Sequence, residues 1–344
     1  MTLLSLPNEL TEQIFLLTLP TLKPTPSPHH GPLLLAQICS LWRTFVLQTS
    51  SLWSSVDIKF CDTLGKSTPE DELLVLWLSR AQDRPISLTI RGSAKYLERA
   101  RLPPLLDLLQ RFPNIVHILV YLYGTNRSVF TLPQRSMQLE LPNLKTFHLS
   151  HYQGEEILAA LSAPNVTYLG CPDIQPKPML DFALRSGAGA NITRLVGVEC
   201  RGATDDLRRL LRLVPSLVLF QMRDWPNKPL APAFSLLLDN KLLPNLVNLT
   251  IHYPFYIAEY PALLAIMQER FEAAKLTRVN VTVHTRSHQS WQQPLDQWPG
   301  NRTWKRMRVL IAKGLNLRMT GPDFERMLPL DDDVISSDEY PDDD

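Results

Sequence analysis

The sequence predicts an α/β fold in three parts: a small helical N-terminal domain (residues 1–60), an irregular repeat solenoid in which a parallel sheet carries helices on its outer face (61–330), and a disordered acidic tail (331–344). Three observations predict it. A proline-marked strand motif recurs through the middle of the chain, with 29, 22, 26, 25 and 29 residues between successive marks. Apolar stretches of helical period stand between the copies. The last fourteen residues, DDDVISSDEYPDDD, hold eight acidic residues and no basic one, so the segment self-repels and buries nothing.

Composition narrows the field. With 44% hydrophobic and 20% charged residues and a formal charge of +1, the 344-residue chain has ordinary globular composition and no global attraction to nucleic acid or anionic membrane. Its 29 prolines against 13 glycines argue for short, punctuated elements and against glycine-rich phosphate loops. The four cysteines (Cys39, Cys61, Cys171, Cys200) form no C-x-x-C pair, and three sit in apolar patterns that suit buried free thiols. The apolar N-terminus contains Glu9 and Glu12 and lacks a basic leading region, so it does not read as a signal peptide. The longest apolar runs, such as Leu73 to Leu78, are far shorter than a membrane span. A reduced, soluble protein of the cytoplasm, the nucleus or both is expected. The six N-x-S/T sequons, beginning with Asn126, then stay unglycosylated.

The elements follow in order. Pro7 suits the first turn of a helix in which Leu10, Ile14 and Leu17 recur at helical spacing. The proline-rich stretch from Pro20 to Pro32 reads as a loop. A second helix is predicted from Pro32 to about Thr49, with Leu35, Ile38, Trp42 and Phe45 on one face, followed by the extended run WSSVDIKF. Thr68 and Pro69, then Glu70, Asp71 and Glu72, open a third helix, and RPISLTI is a short strand. The strand motif then appears as FPNIVHILV (112–120), LPNLKTFHL (141–149), APNVTYLGC (163–171), ANITRLVGV (190–198), VPSLVLFQM (214–222) and LPNLVNLTI (243–251), with KLTRVNVTV (275–283) a degenerate copy. The helical segments between them include EEILAALS, TDDLRRLLRLV and PAFSLLLDNKLL. A strand and a helix every 22 to 29 residues fall in the leucine-rich-repeat range, where each unit covers its apolar face only by stacking on the next. A doubly wound α/β domain is the competing architecture.

The N-terminal segment resembles the F-box. The matching residues are Leu6, Pro7, Glu9 and Leu10, then Ile14 and Phe15, then Ile38, Cys39, Trp42 and Arg43, then Leu52 and Trp53. F-box followed by WLSRAQDRPISLTI and proline-marked repeats resembles the large F-box families of mushroom-forming fungi. The loop from Thr21 to Gly31 is longer than in most F-boxes, and Leu41 stands where the family often has a basic residue. The resemblance implies that Leu6, Pro7, Leu10, Ile14, Phe15, Ile38, Cys39, Trp42, Arg43, Leu52 and Trp53 bind a Skp-type adaptor, which joins a cullin–RING scaffold. The chain is then expected to be the substrate-recognition subunit of an SCF-type (Skp–cullin–F-box) ubiquitin ligase. A non-ligase interaction scaffold of the leucine-rich-repeat type is the alternative.

No catalytic motif is present: the sequence has no GxxxxGK[ST], GxSxG or HExxH. An enzyme is therefore not expected, nor a cofactor or a metal. His284 and His288 follow a strand pattern and do not share a helical face. Trp291, Trp298 and Trp304, interleaved with basic residues, read as the cap of the last repeat before they read as a nucleic-acid site. Alternation along the strands places Phe147 and Leu149, Phe220 and Met222, Leu249 and Ile251, Val279 and Val281 in the core. His148, Gln221, Thr250 and Asn280 then form one outward row, and Ser150, Arg223, His252 and Thr282 the next. These eight are the candidate client-binding residues. Removing the tail leaves 26 acidic against 35 basic residues, a body charge of +9, so an acidic or phosphorylated client segment is expected. The tail itself reads as a solubilising segment, with a cis contact to the basic body the lesser reading.

Overall fold

The computed structural model describes residues 6–19, 26–27, 29–60, 70–93, 105–123, 138–150, 154–200, 204–223, 231–252, 260–273, 275–282 and 301–320. Three helices open the chain: α1 (Asn8–Thr18), α2 (Gly31–Ile38) and α3 (Ser40–Gln48). The predicted second helix is thus two helices. Cys39 is fully extended (φ −157°, ψ 168°), and its Sγ accepts a hydrogen bond from the Trp42 amide at 3.4 Å, capping α3. At the end of α2, Ile38 is exposed while Leu35 stays buried, so the predicted apolar face is not covered throughout.

Ten strands form one sheet: β1 (Ser55–Phe60), β2 (Ile86–Ser93), β3 (Ile115–Tyr123), β5 (Thr146–Ser150), β7 (Tyr168–Ile174), β8 (Arg194–Glu199), β9 (Leu219–Arg223), β10 (Asn248–His252), β11 (Arg278–Thr282) and β12 (Asn316–Thr320). Their spatial order is their chain order and every pairing is parallel. A doubly wound sheet reverses its order at a switch point; this one never does, which excludes the competing architecture. A separate parallel pair joins β4 (Leu139–Glu140) to β6 (Leu161–Ser162). β1 pairs with β2 along its whole length, so residues 55–60 belong to the sheet.

The connecting helices are α4 (Glu70–Arg80), α5 (Leu105–Arg111), α6 (Gly154–Ala160), α7 (Pro176–Ser186), α8 (Thr204–Leu213), α9 (Ala231–Leu238), α10 (Tyr260–Glu272) and α11 (Asn301–Ala312). From α6 to α11 each packs against the next. One apolar core runs from Phe15 to Leu315 between sheet and helices, and every core-facing strand residue expected from alternation is buried in it. Trp53 and Trp77 meet edge to face at 5.0 Å, which joins the N-terminal helices to the first repeat. The result is a solenoid-like α/β fold. The acidic tail, Cys61, His284, His288, Trp291 and Trp298 lie outside the described residues.

Two hydrogen-bond patterns hold neighbouring repeats in register. In the first, the asparagine of each strand motif donates through Nδ2 to the repeat before it: Asn143 to the Pro113 carbonyl (3.3 Å), Asn165 to Pro142 (2.8 Å), Asn191 to Pro164 (2.9 Å) and Asn245 to Pro215 (3.1 Å). The accepting residue cannot use its own N–H, since all four are prolines, but its carbonyl is free to accept. In the second, arginines in the last turn of a helix reach back to carbonyls at the end of the preceding one. Arg80 donates to Leu47 O, Arg185 to Leu158 O and Leu161 O, and Arg270 to Leu237 O, Leu243 O and Asp239 O. Helix C-termini leave such carbonyls without intrahelical partners and favour cations there.

Candidate protein-interaction surfaces

The sheet face turned away from the helices carries the expected rows, and the strand register fixes their order. The middle row runs Asp57, Thr89, Leu119, His148, Gly170, Val196, Gln221, Thr250, Asn280, Arg318. Its lower neighbour ends Glu199, Arg223, His252, Thr282, Thr320. Six of the eight candidates therefore form one patch on β9, β10 and β11: Gln221, Arg223, Thr250, His252, Asn280 and Thr282. All six are half-buried, and Asn280 Nδ2 lies 3.4 Å from Thr250 Oγ1.

His148 and Ser150 are not part of that patch. They lie on β5, with β7 and β8 between, about 14 Å from β9 at normal strand spacing. The register also slips in two of the three intervening pairs, between Gly170 and Ile174 in β7–β8 and between Val196 and Val198 in β8–β9. Gly197 has φ +82°, and a Cβ there would sit 2.6 Å from Pro172 Cα, so only glycine fits the slip. His148 is itself buried. Its ring lies 4.8 Å from that of Tyr121 and 6.1 Å from that of Tyr168, and its Nδ1 shares a 3.3 Å hydrogen bond with the Tyr168 hydroxyl. A Cβ at Gly170 would collide with Nδ1, so the missing side chain makes the space for the imidazole. Burial pushes the His148 pKa down to about 4.

This corrects the electrostatics expected of the face. His148 is neutral at pH 7 and adds no charge for an acidic client. Arg223 stands opposite the buried Glu199 in the β8–β9 register, so a carboxylate adjoins it. Positive charge on the face comes instead from residues the motif did not flag: the exposed Arg194 on β8, the exposed Arg278 in the same row, and Arg318 beside Asn280 in the middle row. The signal for Arg318 was present in GLNLRMT, where Leu315, Leu317 and Met319 alternate with polar residues.

At the N-terminal end, the residues of the motif divide by role. Phe15 is buried against Trp42 (4.7 Å) and Phe45 (5.4 Å), and Trp53 is buried with its Nε1 donating to Val46 O at 2.8 Å. Arg43 Nε donates to Ala36 O at 3.0 Å, tying α3 to α2, and Leu52 is buried with Trp53. Leu6 and Ile14 are half-buried, while Pro7 and Cys39 are exposed. The helices also leave large aliphatic side chains in solvent: Leu10 at 52% exposure, Leu17 at 83%, Leu34 at 46%, Ile38 at 57% and Leu41 at 64%. Leu10 and Leu17 are seven apart on α1, and Leu34 and Ile38 four apart on α2, so each pair shares a helix face.

A groove of about 530 Å³ runs over the asparagine ladder, lined by Asp83, Asn114, Asn143, Lys145, Asn165 and Asn191 among others. Its asparagines are spent on the inter-repeat bonds, which makes it first a structural spine. Among the described residues, no group of three His, Cys, Asp or Glu side chains could hold a metal ion, and no helix is long and apolar enough to cross a membrane. No family model matches the chain, and no curated protein matches it.

Proposed function

We propose that this chain is a non-catalytic substrate receptor of an SCF-type ubiquitin ligase, with α1–α3 as an F-box that binds a Skp-type adaptor and the leucine-rich-repeat-like sheet face as the client surface. The observation that carries the reading is the set of exposed aliphatics on α1, α2 and the start of α3. A scaffold whose N-terminal helices only cap the solenoid accounts for buried Phe15 and Trp53 and half-buried Trp42, and the Trp53–Trp77 contact favours such a cap as one role. It does not account for Leu10, Leu17, Leu34, Ile38 and Leu41, which a pure cap would replace with polar residues. An apolar helical surface of this kind suits a partner helix.

The deciding experiment is a pull-down of purified Skp-type adaptor by the full chain, with a Leu6→Ala, Pro7→Ala variant beside it. Pro7 is exposed, and only its carbonyl is engaged, accepting from the Leu10 and Thr11 amides at 3.1 Å each, a role alanine keeps. The variant should fold and lose the adaptor. Retained binding removes the F-box assignment, and no binding by the wild-type chain favours the scaffold.

A further inference from the structure

The last described repeat carries an uncompensated charge. Residues 301–320 contain six cations (Arg302, Lys305, Arg306, Arg308, Lys313 and Arg318) and no acid. On α11, Met307 and Leu310 point into the core, whereas Lys305, Arg306 and Arg308 are exposed, as is Lys313 just beyond. Among the described residues none of these four pairs with a carboxylate, unlike Arg91 with Asp57 and Arg209 with Asp206. Arg306 donates instead to Gln268 Oε1 at 3.2 Å. Two aliphatic residues, Val309 and Ile311, are exposed on the same helix.

We propose that residues 331–344 of the same chain dock on this face of α11. The segment matches it in both respects: eight acids meet the cations, and Val334, Ile335 and Tyr340 stand among them as apolar counterparts to Val309 and Ile311. The reach suffices. Ten residues lie between Thr320 and Asp331, and the eleven steps from one to the other can span about 36 Å when extended, against a length of about 18 Å for the twelve-residue α11. A tether this short holds the tail near the helix at roughly millimolar effective concentration, so contacts individually weak in water combine. The contact depends on salt. Phosphorylation at Ser336 or Ser337 adds charge of the favourable sign. It is independent of the ligase reading.

The test uses the full chain and zero-length carbodiimide cross-linking, which joins lysine to carboxylate only in contact. Intramolecular links should run from the tail carboxylates to Lys305 and Lys313 in clear excess over the exposed Lys177 and Lys241, and should vanish at about 1 M salt. An Arg306→Ser, Arg308→Ser variant, altered only at exposed positions, should lose most of the Lys305 links. In parallel, a full chain with the eight tail acids changed to Asn or Gln should show several-fold faster amide exchange over residues 301–320. Links spread over surface lysines by exposure, or links that survive the double variant unchanged, overturn the proposal. Links only between molecules make the tail of a second copy the occupant and overturn it as well.

Discussion

Burial decides what His148 can do. Its pKa of about 4 in the folded chain lies below the usual 6.5, so between these values the unfolded chain takes up a proton that the folded one refuses. The stability tied to neutral His148 is complete above about pH 6.5 and is lost as pH falls towards 4, by up to about 3 kcal/mol. Urea unfolding at pH 7 and pH 4.5 should show a smaller loss in His148→Gln than in the wild-type chain; equal losses would place the acid sensitivity elsewhere. The buried Arg270 makes the opposite case, a cation held because three carbonyls need it. Arg270→Met should cost about 3 kcal/mol or more by stranding those acceptors, whereas the exposed Arg306→Met should stay within about 0.5 kcal/mol. Neither residue announces itself in the sequence. His148 looks like any outward strand residue until Gly170, two strands' worth of chain away, supplies its space. Arg270 looks like an ordinary last-turn cation until α9 is placed beside it.

At the scale of elements, spacing predicts what is helical better than which side is covered. Leu10, Ile14 and Leu17 make a regular stripe on α1, yet the buried residues are Thr11 and Phe15, Ile14 is only half-buried, and Leu10 and Leu17 face out. Leu35, Ile38, Trp42 and Phe45 keep helical spacing straight through the break at Cys39, because cysteine is an uncommon cap and periodicity alone cannot see it. The proline–asparagine motif precedes the long-sheet strands β3, β5, β7, β8, β9 and β10, with Ala190 in place of the proline before β8 and Ser216 in place of the asparagine before β9, so this part of the fold is legible. Its purpose is not, since the asparagine bonds join residues 23 to 32 apart in sequence. Past residue 283 no copy of the motif remains, and α11 and β12 go unmarked. The division on α1–α3 gives a paired prediction. Leu10→Ser with Ile38→Ser should leave the melting temperature within a few degrees and abolish adaptor binding, since both side chains are in solvent. Phe15→Ala should instead cost about 3–5 kcal/mol by opening a cavity against Trp42 and Phe45. If the serine variant melts as early as Phe15→Ala, the aliphatics pack within the chain and are not a partner surface.

Across the whole molecule, a sheet whose strands keep chain order spreads its open face along a single line, and that line changes character half-way. Thr89, His148 and Val196 in the middle row are buried, whereas Gln221, Thr250 and Asn280 are half-open and Arg318 is exposed. In that row accessible polar surface therefore gathers on β9 to β12, and the two arginines of the far end are Arg278 and Arg318, with Arg194 the exposed cation on β8, while Glu199 adjoins Arg223. The helix face of that last repeat carries the cations of α11 on the opposite layer, so a client on the sheet and the acidic tail on the helix do not compete for the same side chains. It follows that an acidic client depends on the far end of the sheet and not on the histidine that the strand motif singles out. Arg278→Ala with Arg318→Ala should weaken client capture at least tenfold, as expected for losing charge-assisted contacts of about 1.5–3 kcal/mol each. His148→Gln should leave capture unchanged at pH 7, and adaptor binding should be constant throughout. The measurement is quantitative co-purification with the full chain at low and high salt. Capture that survives the double arginine variant but fails in His148→Gln would move the client to β3–β7 and remove the charge argument with it.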